Sequence, residues 1–191
     1  MQKKPRGKVR IIGGQWRGRL LAIPPVSAIR PTPDRVRETV FNWLQGLVAG
    51  AQVLDLYAGT GVLGLEALSR GAQHATFIEQ NGVAARALNH QLGVFQAQDH
   101  AQVHIASVIE AGAFLAGSSF DIIFIDPPYD AGLLVETLTL LDTIGCLAPG
   151  VLIYIEQRRK AQESLPEGFS IYKHRTYGAV DYMLLQREGA E

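Results

Sequence analysis

Three features of this 191-residue sequence predict an α/β fold built on a mostly parallel sheet flanked by helices. Short apolar runs alternate with segments of helical periodicity from Val53 to Glu156, a pattern that implies strands joined by crossover helices. The first run leads into a glycine-rich turn, Gly59-x-Gly61-x-x-Gly64. The fourth, Phe120-Asp121-Ile122-Ile123-Phe124-Ile125, has almost no polar interruption and stops at Asp126-Pro127-Pro128-Tyr129. That composition suits a strand buried on both faces, and the carboxyl ends of such strands are where open α/β sheets bind ligands.

Taken in order, the chain begins with a basic, glycine-punctuated stretch. Val9 to Ile12 and Arg19 to Ile23 read as two short strands of a hairpin joined through Gly13-Gly14-Gln15-Trp16-Arg17-Gly18. Trp16 stands between basic residues, where it could stack on a base or pack on the body; the sequence leaves both open. Pro24 to Pro33 is an extended linker, after which Thr32 is the expected N-cap with Pro33 in the first helical position. The helix that follows carries Val36, Val40, Phe41, Leu44, Leu47 and Val48 on one face and is expected to end near Gly50.

Strands are then predicted over Val53 to Leu56, Ala75 to Glu79, Val103 to Ala106, Phe120 to Ile125 and Val151 to Glu156. The intervening helices span Val62 to Arg70, the face marked by Val83, Ala87, Leu88 and Leu92, Ile109 to Leu115, and the face marked by Leu133, Leu134, Leu138 and Leu141. A closing pair, Phe169 to Tyr177 and Val180 to Gln186, turns near Gly178 and completes a seven-stranded sheet. Two parts result: residues 1–33, a basic extension with hairpin and linker, and residues 34–191, the α/β domain.

Charged residues make up 19% of the chain and hydrophobic residues 47%, which favours a compact enzyme-like body over a disordered one. No run is long and apolar enough to span a membrane, and the basic N-terminus lacks an apolar core after it, so a cytoplasmic protein is expected. Cys146 has no partner for a disulfide and reads as a small core residue. The five histidines show no metal-ligand spacing, and no metal is expected. The formal net charge of zero hides a division. Residues 1–37 hold ten basic residues against one acid, a net +9, and the remainder holds eight basic and seventeen acidic residues, a net −9. A basic segment on an acidic body is the asymmetry expected of a nucleic-acid contact.

The residues at the end of the fourth strand suit the holding of a planar exocyclic amine. Asp126 and the Pro127 carbonyl supply two acceptors, Pro127 has no N–H to compete, Pro128 stiffens the turn, and Tyr129 offers a ring on which the attached base can stack. The motif resembles that of amino-methyltransferases carrying (Asp/Asn/Ser)-Pro-Pro-(Tyr/Phe), which use S-adenosylmethionine. The whole strand pattern likewise resembles the class I methyltransferase sheet, Rossmann-like with its last strand antiparallel.

The glycine turn also fits a dinucleotide fingerprint, with Glu79 twenty residues after Gly59. Two features argue against that. Asp55, four positions before Gly59, resembles the acid of the Asp/Glu-x-x-x-Gly-x-Gly methyltransferase loop, and Asp126-Pro127-Pro128-Tyr129 has no part in hydride transfer. The candidate cofactor residues are Asp55, Tyr57, Gly59, Gly61, Glu79, Ser107 and Val108. Ser107 follows the third strand, where it could bond the cofactor adenine or cap a helix.

With Arg10-Ile11-Ile12-Gly13-Gly14-Gln15-Trp16-Arg17-Gly18-Arg19, Arg30 to Thr39 and Phe41-Asn42 added, the sequence resembles the RsmD family over nearly its whole length. These are bacterial 16S ribosomal RNA guanine-N2 methyltransferases. The resemblance implies S-adenosylmethionine as cofactor, 16S RNA in an assembling 30S subunit as partner, a monomer, Asp126 to Tyr129 at the target base, and RNA contacts by Arg10, Trp16, Arg17, Arg19, Arg30 and Arg35. Removal of residues 1–23 is expected to leave the sheet and cofactor loop intact. Two other functions compete: an adenine-N6 methyltransferase of DNA or RNA, and a non-catalytic RNA-binding assembly factor on the same fold.

Overall fold

The computed structural model describes residues 7–26, 29, 31–128, 133–159 and 164–188. A two-stranded hairpin, β1 (Lys8–Arg10) and β2 (Leu20–Ala22), precedes helix α1 (Asp34–Trp43). The sheet is then laid down by β3 (Gln52–Leu56), β4 (His74–Ile78), β5 (Ala101–His104), β6 (Phe120–Ile125), β7 (Leu147–Arg158), β8 (Phe169–Tyr177) and β9 (Val180–Arg187). Helices α2 (Val62–Ser69), α3 (Gly82–Phe95), α4 (Val108–Leu115) and α5 (Leu133–Thr143) connect them.

The seven strands lie in the order β5-β4-β3-β6-β7-β9-β8, with β9 antiparallel to both neighbours and the rest parallel. This is the predicted class I methyltransferase architecture. Chain order reverses between β3 and β6, so the crevice at their carboxyl ends is the topological switch point where such sheets hold ligands.

Strand alternation divides the core in two. Val53, Ile122, Phe124 and Tyr154 point into a layer formed with α1, α2 and α3. Leu54, Leu56, Ile123, Ile125 and Ile153 point to the opposite face, against α4 and α5. The first layer also takes in Val9, Ile11, Trp16 and Leu21 of the hairpin, all buried. The hairpin of the basic extension is therefore packed into the body, so the expectation that removing residues 1–23 leaves the sheet and cofactor loop intact must reckon with the loss of these buried contacts. Its turn bonds the end of α2: Gln15 N donates to the Ser69 carbonyl (2.7 Å) and Trp16 N to Ser69 Oγ (2.9 Å).

Three local expectations change. Pro33, not Thr32, stands at the N-cap of α1 and gives it no side-chain bond, because the Thr32 hydroxyl is engaged with Glu156 on β7. The α1 helix stops at Trp43, with turns through Gly50 leaving Leu47 exposed. On α3 the buried face runs through Ala84, Ala85, Leu88, Leu92 and Phe95, while Val83 is exposed.

Candidate active site

The carboxyl edge of β3 carries Asp55, buried, whose Oδ2 accepts the Gly64 amide at 2.9 Å. That bond ties the end of the strand to the first turn of α2. The turn between them needs left-handed backbone: Tyr57 adopts φ 58°, and Gly59 and Gly61 adopt φ 55° and 70°. A side chain at Gly61 would also meet Leu88 at 2.4 Å. Tyr57, a non-glycine in this region, is held by a 2.7 Å hydrogen bond between its hydroxyl and Thr137 on α5. Such strain persists only where surrounding contacts enforce it, and it gathers at ligand sites.

Glu79 follows β4 and is buried. Its Oε2 accepts the Gly59 amide and its Oε1 the Asn81 amide, both at 2.7 Å. One carboxylate thus joins the glycine turn to the start of α3, and each oxygen keeps a lone pair for a ligand hydroxyl. Ser107 is engaged in a capping box: its hydroxyl accepts the Glu110 amide, while Glu110 Oε2 accepts the Ser107 amide at 2.8 Å. Val108 is buried in the first turn of α4.

Asp126 begins where β6 stops, half-buried, with Pro127 buried and Pro128 exposed beside it. Register places it across from the Tyr57 turn on one side and from Glu156 on the other, since Leu56 and Ile155 both pair with Ile125. Glu156 was not anticipated from sequence. It is buried, and its Oε1 accepts from the Thr32 hydroxyl (3.0 Å) and from the Tyr154 hydroxyl (2.7 Å). In the sequence it is only an acid closing the apolar run Leu152-Ile153-Tyr154-Ile155, with no local sign of its partners.

Three carboxyl groups therefore gather at the switch point. Burial, then the charges of Glu156 and Asp55, push the Asp126 carboxyl well above the usual carboxylate range. Burial raises Asp55 to about 8, opposed by the Gly64 amide and supported by the charge of Glu79. A floor of mutually repelling acids favours a cationic ligand. The sulfonium and ammonium groups of S-adenosylmethionine would favour ionisation of these acids and pair with them, which a dinucleotide pyrophosphate would not do.

The predicted RNA contacts divide in space. Arg10 and Arg35 are exposed near Thr32, and Arg10 lines a cleft of about 280 Å³ with Lys8, Pro31, Thr32, Pro33 and Asp34. Thr32 is what joins that cleft to the acidic floor. Arg17 and Arg19 are exposed on the hairpin turn, at the carboxyl ends of α2 and α3: Arg19 Nη2 bonds the Val94 carbonyl (3.0 Å) and its guanidinium lies 4.1 Å from the Phe95 ring. Trp16 takes the packed arrangement, its ring centroid 4.7 Å from that of Phe95. Arg30 and Tyr129 lie outside the described residues. Among the described residues no three His, Cys, Asp or Glu side chains could hold a metal ion, and no helix is long and apolar enough to cross a membrane.

The sheet order and its acid-floored glycine turn are those of an S-adenosylmethionine-dependent methyltransferase. The family model described as Conserved hypothetical protein 95 matches residues 9–186, and Ribosomal RNA small subunit methyltransferase D of Escherichia coli K12 is 45% identical over 195 residues, spanning 97% of this chain and 96% of that protein. The chain belongs to that family, the RsmD family. The protein of the same name from Haemophilus influenzae is 38% identical over 186 residues, 95% of each chain. A solved Escherichia coli homologue, yhhF, is 43% identical with a TM-score of 0.85, covering 96% of this chain and 99% of that one. A solved Haemophilus influenzae homologue is 37% identical with a TM-score of 0.79, covering 95% and 99%.

Proposed function

We propose that this protein transfers the methyl group of S-adenosylmethionine to the exocyclic N2 of a guanine in 16S ribosomal RNA of the small subunit. The observation that carries this reading is the placement of Asp126-Pro127-Pro128 at the switch point, beside Asp55 and the glycine turn. The names of the relatives, small-subunit ribosomal RNA methyltransferases, support RNA as the substrate.

S-adenosylmethionine supplies an electrophilic methyl group. Asp55 and Glu79, held by the amides of Gly64 and Gly59, would bond its ammonium and ribose groups. The target guanine must leave its stack to reach so recessed a site. Asp126 and the Pro127 carbonyl then accept the two N2 hydrogens and hold the amine in line, with Tyr129 stacked on the base. Positioning is the main contribution, because in-line displacement needs little else from the protein. As the new C–N bond forms and the C–S bond breaks, the N2 proton becomes acidic and passes to the Asp126 carboxylate. The raised pKa of Asp126 makes it the better acceptor at that moment.

The test is incubation with radiolabelled S-adenosylmethionine and three substrates: unmethylated 30S particles, naked 16S RNA and duplex DNA. Label in RNA or particles and none in DNA is expected. Label in DNA would favour the adenine-N6 reading.

A further inference from the structure

Beyond β7 the sheet carries a second cationic surface that belongs neither to the N-terminal extension nor to the acidic floor. The β8–β9 hairpin is exposed at its tip, from His174 to Ala179. Because β7 is parallel to β6, its far end lies on the same edge of the sheet as Asp126, and the hairpin tip is paired to that end. Arg158 pairs with Val180, and Arg159 N donates to the Ala179 carbonyl at 3.0 Å. Lys173 and Arg175 lie on β8, which contains no acid. Arg35, from the first turn of α1, reaches over the Tyr177 ring at 5.9 Å. Asp181 lies nearby; it accepts from His174 and Thr176 and also feels the charge of Arg159, so the tip keeps a net positive charge from Arg35, Lys173, Arg175 and Arg159 against one acid.

Basic residues on an exposed edge strand also guard against edge-to-edge aggregation, and that would account for Lys173 and Arg175. It does not account for Arg35 of α1 reaching over the exposed Tyr177 ring, or for Arg159 at the end of β7 being tied to the same turn. We propose that this tip is a phosphate-binding surface for the substrate RNA, gripping the strand that flanks the target nucleotide. The inference rests on the RNA reading above. From β6 to β8 is three strand spacings, about 14 Å, which places the contact within a few nucleotides of a base held at Asp126.

The experiment measures binding of naked 16S RNA at several salt concentrations by the wild-type protein and by the triple variant R159Q/K173Q/R175Q, with S-adenosylmethionine affinity and thermal midpoint as controls. These side chains lie outside both core clusters, so the controls should be unchanged. Affinity for RNA at low salt should fall roughly tenfold or more, and the log–log salt slope should become shallower by about 2 to 3, one counterion term per lost phosphate contact. An unchanged slope in a variant whose wild-type parent binds and methylates RNA would overturn this inference and leave the proposed function standing. A variant that binds naked RNA normally but loses affinity for 30S particles would overturn it in favour of a protein-facing surface. Failure of the wild type to bind either naked RNA or 30S particles would overturn both.

Discussion

The Arg37 guanidinium and the Glu66 carboxylate face each other at 3.3 Å, and neither side chain reaches solvent. Around them the N-terminal extension is fastened to the catalytic body. Glu66 accepts the amides of Ile12 (2.8 Å) and Gly13 (2.7 Å) and the Arg70 guanidinium (2.9 Å). Arg37 bonds the carbonyls of Arg10 (2.8 Å) and Thr32 (3.1 Å) and the Asp34 carboxylate (2.6 Å). A buried pair of this kind is weak ground for net stability, but breaking it leaves one charge stranded. Arg37→Met or Glu66→Leu alone should therefore cost about 3–5 kcal/mol in urea unfolding, and the double variant less than the sum of the two. Deleting residues 1–23 removes both amides, the Arg10 carbonyl and four buried apolar side chains, and should destabilise the domain by more than either single change. Equal stability of the truncated and full-length chains would show that the extension is not part of the fold.

Asp126 is expected to serve transfer and not cofactor binding. Asp126→Ala should lose turnover while S-adenosylmethionine affinity, measured by calorimetry, changes little, the pattern of an interaction made with the reacting group. Asp126→Asn should retain part of the activity, since its amide oxygen still accepts from an amine. Wild-type turnover by Asp126→Ala would move the site elsewhere.

Glu156 acts on Asp126 through charge, and its removal should appear in the pH profile. An adjacent anion raises a carboxyl pKa, so Glu156→Gln should lower that of Asp126 and shift the acid limb of kcat/KM toward lower pH. Thr32→Val, which removes one of the hydrogen bonds that favour the charged form of Glu156, should shift the limb the same way by a smaller amount. A profile identical in Glu156→Gln and wild type would show that the two carboxyls do not communicate.

Asp55 predicts the pH dependence of stability and of cofactor binding. Its folded pKa, about 8, lies above the ordinary carboxylate value near 4. Between those limits the native state holds a proton that the unfolded chain has released. The Asp55 contribution to stability is therefore full below about pH 4 and is lost as pH rises through about 8. The thermal midpoint of the ligand-free protein should fall across that window, and less so in Asp55→Asn. S-adenosylmethionine affinity should strengthen over the same range, because the cation selects the ionised carboxylate. A ligand-free midpoint that rises between pH 5 and 8 and is unaffected by Asp55→Asn would refute this account of Asp55.

Most of the sheet was legible in the sequence because local pattern and tertiary role agree there. β6 is buried on both faces and reads as an uninterrupted apolar run, while the turn at Gly59 and Gly61 requires the left-handed backbone that glycine supplies most easily. Asp55, Glu79 and Asp126 stood out in the sequence by their motifs, and the sheet order brings them to one edge. What could not be read was partnership across long separations. Glu156 meets Thr32 124 residues away, so nothing local distinguishes it from a solvent-facing strand end, and Thr32 looks like a helix cap until that bond is seen. The extension misled for a related reason. Its exposed arginines dominate the composition, whereas Val9, Ile11, Trp16 and Leu21, which decide its packing, are too few to form a recognisable periodicity. The exposed tip of β8–β9 likewise emerges only when α1 and the end of β7 are brought beside it.

The central claim, methyl transfer to guanine N2 by way of Asp126, is tested most directly by nucleoside mass spectrometry. Unmethylated 30S particles are incubated with S-adenosylmethionine and either wild-type protein or Asp126→Ala, and the 16S RNA is then digested to nucleosides. The account predicts one new N2-methylguanosine per particle with the wild type and none with Asp126→Ala. Methyl groups on adenine N6, or N2-methylguanosine formed equally well by Asp126→Ala, would contradict it.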